Sequence, residues 1–347
     1  MKRIVKQVVG IDVAQKELVV CLGRMYDDWT PKLYANKTFA NTAKGFGALT
    51  GWVKKLTEES SSVRYVMEAT GVYHESLAYF LEGEEFEVSI VLPNKISNYI
   101  RTLEVKTVTD KTASEAITRF GLERRLDKWK RPSEIFRKLK QKTRERDQLV
   151  GESTFVKNQL HAEQTEAYPS KESMARMKTR INLLNKQILQ IKEEINVLVK
   201  GDKEVKKSIE LISSIPGIGT LTAVTVLAET NGFELIRNKR QLTSYAGLDV
   251  KEKLSGTSVK GNPRISKKGN RHLRKAMHMP ALAAIRYNER FKVLFTRLVS
   301  RHGIKMKAAV AVQRKLLEMI YTIYKTETAF NKDYIKEEVY AQLQDLK

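Results

Sequence analysis

The sequence of 347 residues predicts an α/β domain at the amino end, then a helical arm, then a mainly helical carboxyl-terminal domain. Three observations predict it. Apolar residues in roughly the first 120 positions alternate between a period of two and a period near 3.6, as in mixed strands and helices. From Met174 to Leu198 the apolar positions follow a heptad. Beyond about residue 205, apolar helical runs flank a stretch dense in Lys, Arg and Gly. The boundaries expected are 1–125, 126–204 and 205–347, in keeping with a chain somewhat longer than two domains of about 150 residues each.

In the first region, Val8 to Val13 and Glu17 to Leu22 read as a hairpin of buried strands, with Leu33 to Phe39 as a third strand. Phe46, Leu49, Trp52, Val53 and Leu56 fall on one face of a helix over 43–59. Val63 to Met67 is a short strand ending at Glu68, His74 to Leu81 a helix, and Phe86 to Leu92 a strand that Pro93 stops. The order β-β-β-α-β-α-β-α is that of an RNase H-like fold.

In the second region Met174, Met177, Ile181, Leu184, Ile188, Ile191, Ile195 and Leu198 are spaced alternately by three and four. The segment from Ile135 to Leu160 is helical too, but Lys142 and Arg146 break its heptad, and Tyr168-Pro169-Ser170 separates the two. The pattern predicts a projecting helical hairpin whose seam a second chain covers, making a homodimer or tetramer. In the third region Ile215-Pro216-Gly217-Ile218-Gly219 resembles the turn of a helix–hairpin–helix, where amides at a helix start, at Gly217 and Gly219, can hold a phosphate. Helices follow over 276–287, kinked at Pro280, and over 290–300 and 306–324. The last 15 or so residues are charged and expected to fray.

Composition limits the partners. The formal net charge is +23 and the pI near 9.8, so the chain attracts polyanions, nucleic acid foremost. Its apolar content of 41% is enough for ordinary cores, which excludes global disorder. One cysteine, Cys21, excludes a disulfide framework and a cysteine-rich zinc site, and its apolar strand makes it a core residue. The five histidines show no metal-ligand spacing. No apolar run nears the ~18 residues of a membrane span, and Gly10 and Asp12 interrupt the amino-terminal apolar stretch too early for a signal peptide. A soluble, intracellular protein is expected.

Two constellations carry chemistry. Asp12 in the strand hairpin, Glu68 at a strand end and Asp110 in Thr107-Val108-Thr109-Asp110-Lys111 come from separate elements. Carboxylates at apolar strand ends are costly to desolvate unless a cation accompanies them. Three converging ones suit a hard divalent ion, and two such ions about 4 Å apart would clamp the attacking and leaving oxygens of a phosphodiester. The second constellation runs from Lys251 to Lys275, with nine Lys or Arg against one acid and three glycines. Lys260, Arg264, Lys267, Lys268, Arg271 and Arg274 within it suit a phosphate backbone. A serine there needs a base, a metal or nearby positive charge to act as a nucleophile, and residue types alone do not separate Ser255, Ser258 and Ser266.

Together Gly10-Ile11-Asp12, Glu68-Ala69-Thr70-Gly71-Val72-Tyr73, Ile215-Pro216-Gly217-Ile218-Gly219, Tyr245-Ala246-Gly247-Leu248, Ser255-Gly256, Ile265-Ser266-Lys267-Lys268-Gly269 and Leu273-Arg274 resemble the transposases of insertion-sequence family one-hundred-and-ten, the bridge-RNA-guided recombinases. The resemblance spans nearly the whole chain. It implies a RuvC-like domain with an Asp-Glu-Asp-Asp set, a coiled-coil arm and a carboxyl-terminal transposase domain. By that match Asp12, Glu68 and Asp110 are the first three acids, holding Mg²⁺ or Mn²⁺, and Ser255 is the nucleophile that forms a phosphoserine link to DNA. The family's fourth acid would stand at 113, which is Ala113 here; Glu115 is the candidate substitute acid, and Ser114 the residue nearer the face of Asp110. The resemblance also implies donor and target DNA, a structured noncoding guide RNA, a site whose halves meet across subunits, and a place beside the nucleoid in a bacterial cytoplasm. The alternative is a metal-dependent nuclease of the Holliday-junction-resolvase type, with water as nucleophile.

Overall fold

The computed structural model describes residues 3–331, apart from 59–60, 70, 104–106, 108, 235, 252–253, 256–258 and 261–263; for 254–255 and 259–260 it gives strand pairing alone. The chain divides into two compact units, 1–131 and 132–347.

In the first unit β1 (Ile4–Val13), β2 (Glu17–Tyr26) and β3 (Pro31–Ala40) precede α1 (Ala43–Leu56), β4 (Val63–Glu68), α2 (Glu75–Gly83), β5 (Glu87–Val91), α3 (Pro93–Ile100) and α4 (Asp110–Glu123). The sheet order is β3-β2-β1-β4-β5. The first three strands are antiparallel, and β4 and β5 are added in parallel to β1. This is the RNase H-like arrangement that the element order predicts. Strand alternation sends Val9 and Ile11 to one face, where Phe46, Leu49 and Val53 of α1 and Leu77 and Leu81 of α2 cover them. Val8 and Val66 face the other way, onto Ile96 of α3 and Ile117 and Leu122 of α4. The sequence predicts one helix after β5; there are two.

The packing of α4 fixes the site. A Cβ on Gly10 would lie 2.2 Å from Thr118 Oγ1 and 2.4 Å from its amide nitrogen, and one on Gly121 would lie 2.7 Å from Val8 Cγ1. Only glycine lets helix and strand come so close. Thr118 lies over Gly10 and Gly121 over Val8, so α4 runs against β1, and its first residue, Asp110, points back toward the Asp12 end of that strand. Thr109 and Thr112 start the helix with a reciprocal capping box. Lys6 closes its other end, donating to the carbonyls of Gly121, Leu122 and Arg124 at 2.5, 3.0 and 2.9 Å.

The second unit starts with two long helices, α5 (Glu134–Thr165) and α6 (Lys171–Gly201), the latter capped by Ser170. Then come α7 (Lys203–Ser213), α8 (Thr220–Thr230), α9 (Lys239–Tyr245), the two-residue strands β6 (Val250–Lys251), β7 (Leu254–Ser255), β8 (Val259–Lys260) and β9 (Arg264–Ile265), and α10 (Arg271–Ala276), α11 (His278–Tyr287), α12 (Glu289–His302) and α13 (Lys305–Thr326). Strand β6 pairs with β9 and β7 with β8, which folds the basic stretch into nested hairpins. The chain breaks between α10 and α11 at Met277, and Pro280 sits in the first turn of α11, where its missing amide is tolerated. The expected kink is therefore a break. The fraying tail, 332–347, lies outside the described residues.

Two expectations are corrected. The arm is not a separate domain: Leu139 of α5 and Ile191, Ile195 and Val199 of α6 share one core with α7, α8, α11 and α13. Nor does the heptad seam await a second chain. Ile181, Leu184, Ile191 and Ile195 are buried within the chain, and the seam's other positions are half-buried. Helix α5 covers them, antiparallel, with Val156 packed against Ile181 and Leu184 and with Lys142 bonded to Glu194 at 2.6 Å.

Candidate active site

Three carboxylates predicted from the sequence line one pocket of about 540 Å³ in the first unit: Asp12 from β1, Glu68 from the end of β4 and Asp110 from the start of α4. Asn94 and Ser97 of α3, with Arg101, complete its polar wall, and Ala113 lines it too. Asp12 has its pKa raised to about 6, first by burial and then by the charges of Asp110 and Glu68. A half-buried Asp12 beside two further acids is short of a counter-charge, and an all-oxygen donor set of this kind suits Mg²⁺ or Mn²⁺. Among the described residues no three acidic, His or Cys side chains stand close enough to form a finished ligand set. The residues fit a divalent cation by charge and donor chemistry.

Glu115 is not brought to that pocket. Its carboxylate faces β3, where Asn36 donates to it at 3.5 Å, because five residues along a helix turn the side chain away from Asp110. Ser114 is buried, and its hydroxyl donates to the Lys111 carbonyl at 2.8 Å. Neither replaces the acid absent at Ala113.

In the second unit the candidate nucleophile Ser255 lies in β7, paired with Val259; its side chain and that of Lys260 lie outside the described residues. Ser266 is already committed, donating to Asp249 at 2.5 Å while the Lys268 amide donates to it at 3.3 Å. Arg264, Lys267, Lys268 and Arg271 are exposed. Arg274 is a brace instead, donating to the Ala246 carbonyl at 2.8 Å. Gly217, at φ +94°, meets α11: a Cβ there would lie 3.2 Å from Ala283 Cβ, the Ala284 nitrogen and the Pro280 oxygen, so this glycine serves packing. Gly219 is exposed at the N-cap of α8, with nothing within 4 Å of a built Cβ.

Two family models match this chain. One for DEDD transposases of IS110, described as "Transposase", covers residues 9–169. The other, "Transposase IS116/IS110/IS902 family", covers 209–295. The chain belongs to the IS110 family of transposases. Among its relatives, the pilin gene-inverting protein of Moraxella lacunata is 28% identical over 333 residues, covering 94% of this chain and 98% of that protein. The transposase for insertion sequence element IS1111A of Coxiella burnetii is 28% identical over 161 residues, 43% of this chain and 42% of that one. Among solved structures, Thermus thermophilus RuvC with a Holliday junction substrate matches 35% of this chain and 99% of its own, at 9% identity and a TM-score of 0.27. IS110 transposases cut and rejoin DNA, and residues 9–169 of this member match the family's DEDD transposase domain. No described helix is long and apolar enough to cross a membrane.

This IS110 transposase also holds a polar centre the sequence does not announce. Glu229 of α8 is buried, and Arg144 of α5 donates to both its oxygens, at 2.7 and 2.9 Å. Asn270, just before α10, donates to it at 2.7 Å, and the Tyr245 hydroxyl donates to its backbone carbonyl at 3.0 Å. Burial pushes the Glu229 pKa up, but the bonds from Arg144 and Asn270 outweigh it and hold the group below its ordinary value. The missed signal was a lone acid inside an apolar helical run, a costly placement unless partnered. The pocket residues Asn94, Ser97 and Arg101 carried no such signal.

Proposed function

We propose that this transposase breaks and rejoins DNA through Ser255, with Asp12, Glu68 and Asp110 holding the divalent ions that the same reaction needs. The observation that carries the reading is the shared pocket of those three side chains, in which burial first, and then its two acidic neighbours, drive Asp12 toward protonation. The Ser255 oxygen attacks phosphorus, forming an Oγ–P bond. The bond from phosphorus to one sugar oxygen breaks, and that oxygen leaves as a hydroxyl once it gains a proton. Rejoining reverses the step, with a new sugar hydroxyl attacking and Ser255 recovering its proton. Bound Mg²⁺ or Mn²⁺ supplies positive charge at the scissile phosphate. Arg264, Lys267, Lys268 and Arg271, with Lys260 and the amide of Gly219, hold phosphates of the backbone. Reading backbone and not bases leaves target choice to a noncoding guide RNA that pairs with donor and target DNA.

A homo-oligomer is part of the same proposal. Leu183, Leu189 and Val197 remain exposed on α6, at 56, 63 and 61%, and are the residues a second chain would cover. The deciding test incubates full-length protein, guide RNA, Mg²⁺ and labelled DNA, then denatures. A protein–DNA species that vanishes in Ser255→Ala, together with cleavage, supports the phosphoserine route. Cleavage that persists in Ser255→Ala without a covalent species assigns the attack to water. Asp12→Ala abolishes both products under either route.

A further inference from the structure

At the base of the β6–β9 hairpin, α12 and α13 enclose a cavity of about 570 Å³. That is within the roughly 300–1,000 Å³ usual for small-ligand sites. Its wall is aliphatic: Ile265, Leu298, Ile304, Met306, Val310 and Ala311. Its polar side chains are Arg264, Lys267, His302, Lys307 and Arg314, and among the described residues no acid, amide or hydroxyl side chain lines it. Arg314 is shared with Glu318 at 3.0 Å, whereas Arg264, Lys267 and Lys307 make no ion pair among the described residues. Ile304 and Met306 stand 53 and 59% exposed at its mouth, an unusual setting for large apolar side chains ringed by cations.

A ligand that suits this cavity is anionic outside and flat and apolar inside. We propose that the cavity takes one unpaired deoxynucleotide of a DNA strand, its base against the aliphatic wall and its flanking phosphates on Arg264, Lys267 and Lys307. This rests on the reading that the chain acts on DNA, and adds to it a place for a base outside the duplex. One feature favours DNA over RNA. An aliphatic surface gains contact from the methyl group of thymine, which uracil lacks. Among the described side chains of the wall His302 alone can meet a base edge with both a donor and an acceptor, so the wall holds a base chiefly by contact and not by identity. The position matters as well: Lys251 and Arg264 are paired, and the chain between them carries Ser255. A nucleotide seated here is therefore held at the foot of the hairpin that bears the proposed nucleophile.

The test is a binding measurement, independent of strand transfer. Full-length protein is titrated into a fluorescent duplex with one extrahelical thymidine, the same duplex with an abasic residue there, and one with an extrahelical uridine ribonucleotide. The thymidine duplex is expected to bind roughly tenfold tighter than the abasic one and tighter than the ribonucleotide one. Two variants locate the effect. Ile304 is the N-cap of α13, with extended backbone and no side-chain cap, so Ile304→Asp supplies a capping carboxylate and keeps the fold while setting an anion at the mouth. Ala311→Leu fills the wall. Both should bring the thymidine and abasic duplexes to equal affinity. Equal affinities in the unaltered protein, a preference that survives both variants, or a uridine that binds as well as thymidine would each overturn the proposal. A change in oligomeric mass in Ile304→Asp with the preference intact would also overturn it, marking the cavity as a protein contact. Failure to bind any duplex would instead sink the DNA reading beneath it.

Discussion

Asp12 and Glu229 are both acidic groups taken out of water, and their surroundings treat them in opposite ways. Asp12 has other acids near it, and its pKa rises to about 6. Glu229 has a guanidinium and an amide on its oxygens, and its pKa falls. The first region stores unfavourable charge that a cation can relieve; the second has neutralised its charge and turned it into structure. The difference teaches how to tell a site from a scaffold: a buried carboxylate with completed hydrogen bonds holds elements together, and one opposed by like charges awaits a ligand.

The largest expected effect lies on the scaffold side. Arg144→Ala leaves Glu229 buried with its main cation gone, and should cost about 3 kcal/mol in denaturant unfolding at neutral pH. Adding Glu229→Gln to that variant should restore a good part of the loss, since no charge is then left buried. A double variant no more stable than Arg144→Ala alone would mean that the pair matters by packing and not by charge. The sign with pH follows from the lowered pKa: the stabilisation from Glu229 is present above its unfolded value near 4.5 and is lost as pH falls through the folded one.

Next is Gly10→Ala. The added carbon meets backbone of α4, which cannot rotate aside, so a loss of roughly 2 kcal/mol is expected, with weaker Mg²⁺ binding by calorimetry because Asp110 moves with the helix. Unchanged Mg²⁺ affinity would separate the helix position from the site.

Asp12→Asn should act in the opposite direction to the Glu229 variants. Without divalent ions it removes repulsion and raises Tm above pH 6 or so, and the gain fades as pH falls from about 6 to 3.8, where Asp12 is protonated in both states. Adding Mg²⁺ should raise the Tm of the unaltered chain and not of Asp12→Asn. The smallest effect is that of Glu115→Gln, which faces Asn36 outside the pocket and should leave Mg²⁺ affinity unchanged. Ala113→Asp, by contrast, adds an acid to the pocket wall and should tighten Mg²⁺ binding while lowering metal-free stability.

Much of this was legible in the sequence. Asp12 and Glu68 could be placed because each stands at or near the end of a short apolar strand, and the helical turn count already set Glu115 about 140° from Asp110. The cover on the arm's seam was not legible. Helix α5 carries buried Thr143 and Ser153 between its apolar positions and Lys142 at the edge, so the face that does the covering does not read as a continuous apolar stripe. Small hydroxyls pack well when a neighbour supplies the bulk, and a single-chain pattern cannot show that neighbour. The Glu229 centre was hidden for a similar reason, since its partners stand 85 and 41 positions away in the chain. Asn94, Ser97 and Arg101 reach the pocket because α3 follows β5 directly, a matter of topology and not of residue type.

Where α4 rests on Gly10, only the short Thr118 side chain and main-chain atoms of Ser114 and Thr118 stand at the contact. The Cα positions of Asp12 and Asp110 are therefore set by main-chain atoms and by a Thr118 hydroxyl that bonds to the Cys21 and Ser114 carbonyls, a gauge that the larger rotamers of the core do not lengthen. Sequence drift in the surrounding core can swap one aliphatic residue for another and leave that gauge untouched. The same contact makes position 10 intolerant: in a saturation library, the strand should accept replacements on either side of it and reject all nineteen there.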